Sequence, residues 1–202
     1  MGDRNSIMRK SPGQAEMPRG LIGRLLGRIM AWHNGLDSEW TVRLLHIGND
    51  EQILEVGFGP GAAIESLVKL HPSVQIAGID HSEAMLDAAS SRNRDAIVAG
   101  NVILQLGSVE NLPFVNSTFD KAFSIHCIYF WEKPVQGLRE LYRVLKPGGR
   151  LAITVRDKNR EAYQAFRPEK LEQMLHRAGF TTVEIAANGV SAHPLICAVG
   201  TK

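Results

Sequence analysis

The chain has 202 residues, of which 44% are hydrophobic and 22% charged, and a formal net charge of +2. That is ordinary usage for one globular domain, long enough to bury a core without staples. The near-neutral charge argues against nucleic acid or an acidic membrane as the main partner. No apolar run approaches the ~18 residues of a spanning helix.

Residues 1–18 are polar and hold no secretory core, so they read as a flexible tail. Gly2 to Ser6 satisfies the loose myristoylation pattern, which is read as a chance match because nothing else supports anchoring. From residue 19 to about 50 the pattern is helical, with Leu21, Ile22, Leu25, Leu26, Ile29 and Met30 at three- and four-residue spacing. Asp37 or Ser38 is placed to cap a second helix carrying Trp40, Leu44 and Leu45. A basic amphipathic helix lying on a membrane is disfavoured, because Gly20, Gly23 and Gly27 each lower helix propensity by roughly 1 kcal/mol relative to alanine.

Residues 51–202 change rhythm. Short apolar runs at 52–56, 74–79, 102–106, 121–125, 150–155, 182–185 and 195–199 alternate with helical stretches around 61–70, 82–94, 135–146 and 168–178. This alternation predicts an α/β fold, a Rossmann-like doubly wound and mostly parallel sheet with seven strands. The last two runs meet across Asn188-Gly189, which predicts an antiparallel C-terminal hairpin strand closing the edge. Pro168 and Gly179 punctuate the final helix. Cys127 and Cys197 sit in apolar strings and read as buried thiols of a reducing, cytoplasmic compartment.

The strongest local signal is Ile53-Leu54-Glu55-Val56-Gly57-Phe58-Gly59-Pro60-Gly61, a buried strand entering alternate glycines before a helix. Glycine admits positive φ and lets a ligand approach the backbone, while the helix N-terminus offers N–H groups to an anion. About twenty residues on, a second strand ends at Asp80, whose carboxylate can accept both hydroxyls of a ribose. Together they suit a nucleoside. Gly57, Gly59 and Ala62 also satisfy the dinucleotide fingerprint, so a nicotinamide-dependent oxidoreductase stays open on these residues alone.

Downstream come Leu106-Gly107-Ser108-Val109-Glu110-Asn111-Leu112-Pro113-Phe114, then Ser117-Thr118-Phe119-Asp120, Ile128-Tyr129-Phe130-Trp131, and Glu140 through the Lys146-Pro147-Gly148-Gly149 turn. In that order the chain resembles the class I S-adenosylmethionine-dependent methyltransferases over about residues 50–185, nearest the ubiquinone/menaquinone-biosynthesis branch. The resemblance implies that Glu55 and the backbone of Gly57, Gly59 and Gly61 surround the methionine end of S-adenosylmethionine. It implies that Asp80 binds the ribose and that His81 and Met85 line the adenine side. Ser108 and Val109 would meet the adenine edge, and His126 would lie near the methionine amino group and the methyl. Two positions depart from the family pattern. Members often carry Asp where Ser108 stands, and many carry Asn where His126 stands.

Methyl transfer to a nucleophile is an in-line displacement, in which positioning alone supplies roughly 7–11 kcal/mol. A base is needed only where the accepting atom loses a proton, and His126 is the first candidate, with Tyr129 the second. The scattered histidines show no metal-ligand spacing. The N-terminal helices bring Trp32, His33 and Trp40 near the expected cleft mouth, where aromatic rings suit a flat acceptor, and Tyr129 and Trp131 are candidates for its wall. Packing against the sheet is an equal alternative for this segment. No large insertion follows the fifth strand, so the acceptor is expected to be a small molecule, with a second subunit of a homodimer as one source of the site's cover. A non-catalytic cofactor-binding module is the remaining alternative.

Overall fold

The computed structural model describes residues 35–156, 161–189 and 194–202. The expected tail, the first helical stretch to residue 34, and with them Trp32 and His33, lie outside the described residues. The first described helix, α1 (Gly35–Leu45), is followed by β1 (Gln52–Val56), α2 (Ala62–Leu70), β2 (Gln75–Asp80), α3 (Glu83–Arg92), α4 (Arg94–Val98) and β3 (Val102–Leu106). Then come β4 (Phe119–Ile125), α5 (Pro134–Val144), β5 (Leu145–Arg156), α6 (Glu161–Gln164), α7 (Pro168–Ala178), β6 (Thr182–Asn188) and β7 (Leu195–Thr201). Single 3₁₀ turns lie at Val109–Asn111 and Ile128–Phe130.

The strands form one seven-stranded sheet in the order β3-β2-β1-β4-β5-β7-β6. Strands β1 to β5 pair in parallel, while β7 runs antiparallel to both neighbours. The hairpin therefore inserts its antiparallel strand one place in from the edge, and β6 forms the edge itself.

Alternation along each strand divides the core between two faces. Ile53 and Phe123 point into one layer with Val42, Leu45, Ile64 and Leu67, under α1 and α2. Leu54 and Ala122 point into the other with Leu138, Leu141, Leu171 and Leu175, under α5 and α7. Truncating a fully buried residue such as Leu141 to Ala costs about 2–5 kcal/mol in such a core.

Pro168 opens α7, and Gly179 (φ 118°) ends it, as the sequence indicates. Three local expectations change. Asp37 and Ser38 lie inside α1 and are buried, so neither caps it. The stretch expected as one helix over 82–94 is broken at Asn93, whose amide leaves the helix pattern to donate to the carbonyls of Gly61 and Ala89. The Lys146–Gly149 turn is a bulge within β5: Phe119 pairs with Leu145 but Lys121 with Arg150. Backbone bonds between Gly148 or Gly149 and Lys202 tie that bulge to the chain's end.

Candidate active site

The sequence order of the strands reverses between β1 and β4, and a crevice opens at the carboxyl ends of strands at such a point. The glycine turn follows β1 there. Its Gly57, Gly59 and Gly61 have φ of 77°, 52° and 74°, a region that disfavours side chains. The Gly57 N–H donates to Ile79 O at 2.7 Å, lashing the turn to β2. The glycines serve different ends. A Cβ on Gly57 would lie 2.6 Å from Cys127 Cβ, and one on Gly61 would lie 2.8 Å from Ala89 Cβ. Only Gly59 faces open space. Two of the three therefore admit protein neighbours, and one admits a ligand.

Asp80 ends β2 opposite this turn. Its Oδ2 accepts the Gly59 N–H at 2.8 Å and its Oδ1 the Ser82 N–H at 2.9 Å. The carboxylate keeps lone-pair capacity for a hydroxyl. Burial raises the Asp80 pKa, and the backbone donors of Ser82, Gly59 and His81 oppose that rise. Glu55, in β1, is 3% exposed, and its Oε2 has no partner among the described residues. Desolvation, then the nearby charge of Asp80, push its pKa up to about 8. A buried, unpaired carboxyl beside a turn open at Gly59 suits a cationic ligand group.

On the β4 side, His126 follows the strand with φ 54°, its N–H donating to Thr154 O at 2.9 Å. Its Nε2 lies 2.7 Å from Asp37 Oδ2, on α1, while its Nδ1 is buried without a partner among the described residues. Arg156, ending β5, donates to the same Asp37 oxygen. Burial pushes the Asp37 pKa up, but the bonds from His126 and Arg156 outweigh it and hold the group below its ordinary value. Thr41 Oγ1 and Thr154 Oγ1, 2.7 Å apart, add a second link from α1 to β5. Asp37 was read from the sequence only as a helix cap, and neither Arg156 nor Asn93 was singled out.

The other candidates separate. Tyr129 stacks edge-on against Tyr163 and Phe166, and its hydroxyl accepts the Arg156 N–H at 2.7 Å. Trp131 is buried against Val109 and α5, and Trp40 packs onto the layer under α1, so both act as core rather than open wall. His81 is exposed at the end of β2, and Met85 is buried in the α3 core. Ser108 caps the 3₁₀ turn, accepting the Glu110 N–H and donating to the Glu110 carboxylate. Val109 N–H, first in that turn, has no partner within it. Cys127 and Cys197 are free thiols pushed up to about 12 by burial. Among the described residues, no group of three His, Cys, Asp or Glu is placed to hold a metal. A separate groove of about 350 Å³ between α1 and α2 contains none of these residues.

Comparison with known proteins decides which family the chain belongs to. A methyltransferase-domain family matches residues 54–153. An uncharacterized methyltransferase of Bacillus subtilis, YdaC, is 35% identical over 88% of this chain and 98% of its own length. The chain belongs to the S-adenosylmethionine-dependent methyltransferases. The methyltransferase is also 34% identical to the ubiquinone/menaquinone biosynthesis C-methyltransferase UbiE of Geotalea daltonii, over 63% of this chain and 55% of that enzyme. Among solved structures, an S-adenosylmethionine-dependent methyltransferase of Aquifex aeolicus superposes with a TM-score of 0.73. It covers 88% of this chain and 97% of that one at 20% identity, a likeness of fold alone.

Proposed function

We propose that this methyltransferase carries a methyl group from S-adenosylmethionine to a small-molecule acceptor by in-line displacement. The observation that carries the reading is the paired cradle of Gly59, open toward solvent, and Asp80, bound to its N–H. Asp80 would hold the ribose hydroxyls. Glu55 would face the cationic amino end, where its unpaired oxygen gains a partner and its proton is lost. Gly57 and Gly61 would set the shape of the turn, and His81, Met85, Ser108 and Val109 would border the adenine. The bound cofactor supplies an electrophilic methyl on sulfur. The chain supplies alignment of the attacking atom with it, and a site that keeps water out.

A small acceptor is supported by the short connection from β5 to α7, which leaves no room for a large recognition insert. Tyr129 and Tyr163 would form the acceptor-side wall at the ends of β4 and β5. Trp32 and His33 are proposed as further acceptor-binding residues. The domain is proposed to run over 51–202, with 19–50 as an N-terminal lid or packing segment, in a cytoplasmic setting that keeps both thiols reduced.

Thermal denaturation with S-adenosylhomocysteine and with NAD tests this reading. At one hundred times its dissociation constant a ligand adds about 2.7 kcal/mol. Stabilisation by S-adenosylhomocysteine and none by NAD is expected, together with radiolabelled methyl transfer to a compound in a small-metabolite extract. Stabilisation by NAD alone would overturn it.

A further inference from the structure

We infer that His126 Nδ1 is the proton acceptor of this methyltransferase, set in that state by Asp37, and that the methyl acceptor carries a hydrogen on its attacking atom. The inference rests on the methyl-transfer reading above. Asp37 is a carboxylate 6% exposed on a helix packed across the sheet. Such a group is costly to bury unless bonded. Its partners come from two adjacent strands: Arg156 from the end of β5, and His126 from the residue after β4. An aspartate paired with a guanidinium only accepts hydrogen bonds. The 2.7 Å contact to His126 is therefore Nε2–H donating to Oδ2. A neutral imidazole with its hydrogen on Nε2 carries its lone pair on Nδ1.

That Nδ1 is buried and has no partner among the described residues. Most buried polar atoms in a fold find a hydrogen-bond partner, and one that does not calls for a reason. Here one ring nitrogen is fixed by a buried carboxylate, and the other lacks a partner among the described residues, on the residue that follows β4 at the crevice. Its location follows from the pairing. Glu55 lies level with Gly78 on one side and Phe123 on the other, so Asp80 and His126 flank the glycine turn from opposite strands. The residue after His126, Cys127, occupies the space beside Gly57. With the ribose side on β2, the β4 side is left for the sulfur end and the acceptor.

His126 meets Asp37 from α1, Arg156 from β5 bonds the same carboxylate, and the Tyr129 hydroxyl from the following turn accepts the Arg156 N–H. Asp37 is a positioning residue: it fixes the tautomer and would balance the imidazolium as it forms. In the transfer the acceptor's lone pair bonds to the methyl carbon, the C–S electron pair stays on sulfur, and the acceptor's proton passes to Nδ1 and then to solvent.

The test uses the full chain with nitrogen-15 histidine, alone and saturated with S-adenosylhomocysteine. His126 is expected to show a protonated Nε2 and a bare Nδ1 in both states, and Asp37→Asn to lose that preference. Calorimetry is expected to find S-adenosylhomocysteine binding His126→Asn and Asp37→Asn within about threefold of wild type. Failure of the wild type to bind it would strike the methyl-transfer reading instead.

Two sets of probe acceptors complete the test. Phenol and aniline, uncharged near neutral pH, carry both a lone pair and a proton on the attacking atom, whereas pyridine and thioanisole carry a lone pair and no proton. Methylation of the first set alone is expected, falling at least about a hundredfold in His126→Asn and about tenfold or more in Asp37→Asn. The asparagine amide accepts a hydrogen bond but not a proton, and asparagine tolerates the positive φ at this position. A proton on Nδ1, a bond from S-adenosylhomocysteine to Nδ1, equal transfer to pyridine, or unchanged turnover in His126→Asn would overturn the inference. If neither set reacts, the nitrogen spectra decide it.

Discussion

The β2 side of the cleft is built from backbone and short sequence separations, the β4 side from side chains far apart in the chain. On the first, Asp80 receives N–H groups from Gly59 and Ser82, and Gly57 bonds to Ile79. On the second, Asp37 reaches His126 across 89 positions and Arg156 across 119. Backbone cradles need particular conformations, so they impose glycines at fixed spacing and leave a readable pattern. Side-chain clasps need only the right group at each end of a fold already made, so they leave none.

The largest expected break is on the backbone side. Gly57→Ala adds a Cβ in the left-handed region that would meet Cys127. Strain and overpacking together should cost roughly 2–5 kcal/mol, read by urea denaturation. Cys127→Gly on top of it should recover the packing part and leave the strain. Stability of Gly57→Ala equal to wild type would mean the turn is not held as described.

Next in size is Asp80→Ala. Losing charge-assisted bonds at about 1.5–3 kcal/mol should weaken S-adenosylhomocysteine binding by about tenfold to a hundredfold, measured by calorimetry, with the fold retained. Unchanged affinity would remove Asp80 from the ribose role.

Glu55 sharpens the same side through pH. Its ordinary pKa of 4.5 rises to about 8 in the folded chain. Between those values the folded state holds a proton that the unfolded state has released, so this group's contribution to stability falls as pH rises from about 4.5 to about 8. Comparing thermal denaturation of wild type and Glu55→Gln over that range isolates the effect, and the variant should lack this decline. Parallel pH curves would contradict a raised pKa at Glu55.

The smallest effect tests the clasp side. Thr41→Val removes the buried hydroxyl that meets Thr154 and should cost about 1 kcal/mol, or somewhat more for the polar atom left behind. A change within experimental error would show that α1 is held by its other contacts.

The same contrast explains what was legible beforehand. Strand–helix alternation indicated the sheet, and the run from Glu55 to Gly61 together with Asp80 located the β2 side of the cleft. The hairpin's insertion beside β5 was not legible, because the pattern of β6 and β7 is compatible with either strand at the edge. Asp37 read as a helix cap because capping is the local habit of aspartate, while its partners lie more than eighty residues away. Asn93 read as one more helical residue, yet its side chain holds the Gly61 carbonyl. Trp40 and Trp131 invited an aromatic-wall reading, but aromatic residues beside apolar helices pack into cores just as readily.

The central claim is that the turn after β1 and the carboxylate ending β2 jointly receive an adenosyl ligand. A crystal structure of the chain grown with S-adenosylhomocysteine tests it most directly. The account predicts ligand density in the crevice at Gly59, with both ribose hydroxyls on Asp80 and the amino group toward Glu55. A crevice without ligand in crystals saturated with it, or density elsewhere on the molecule, would contradict the account.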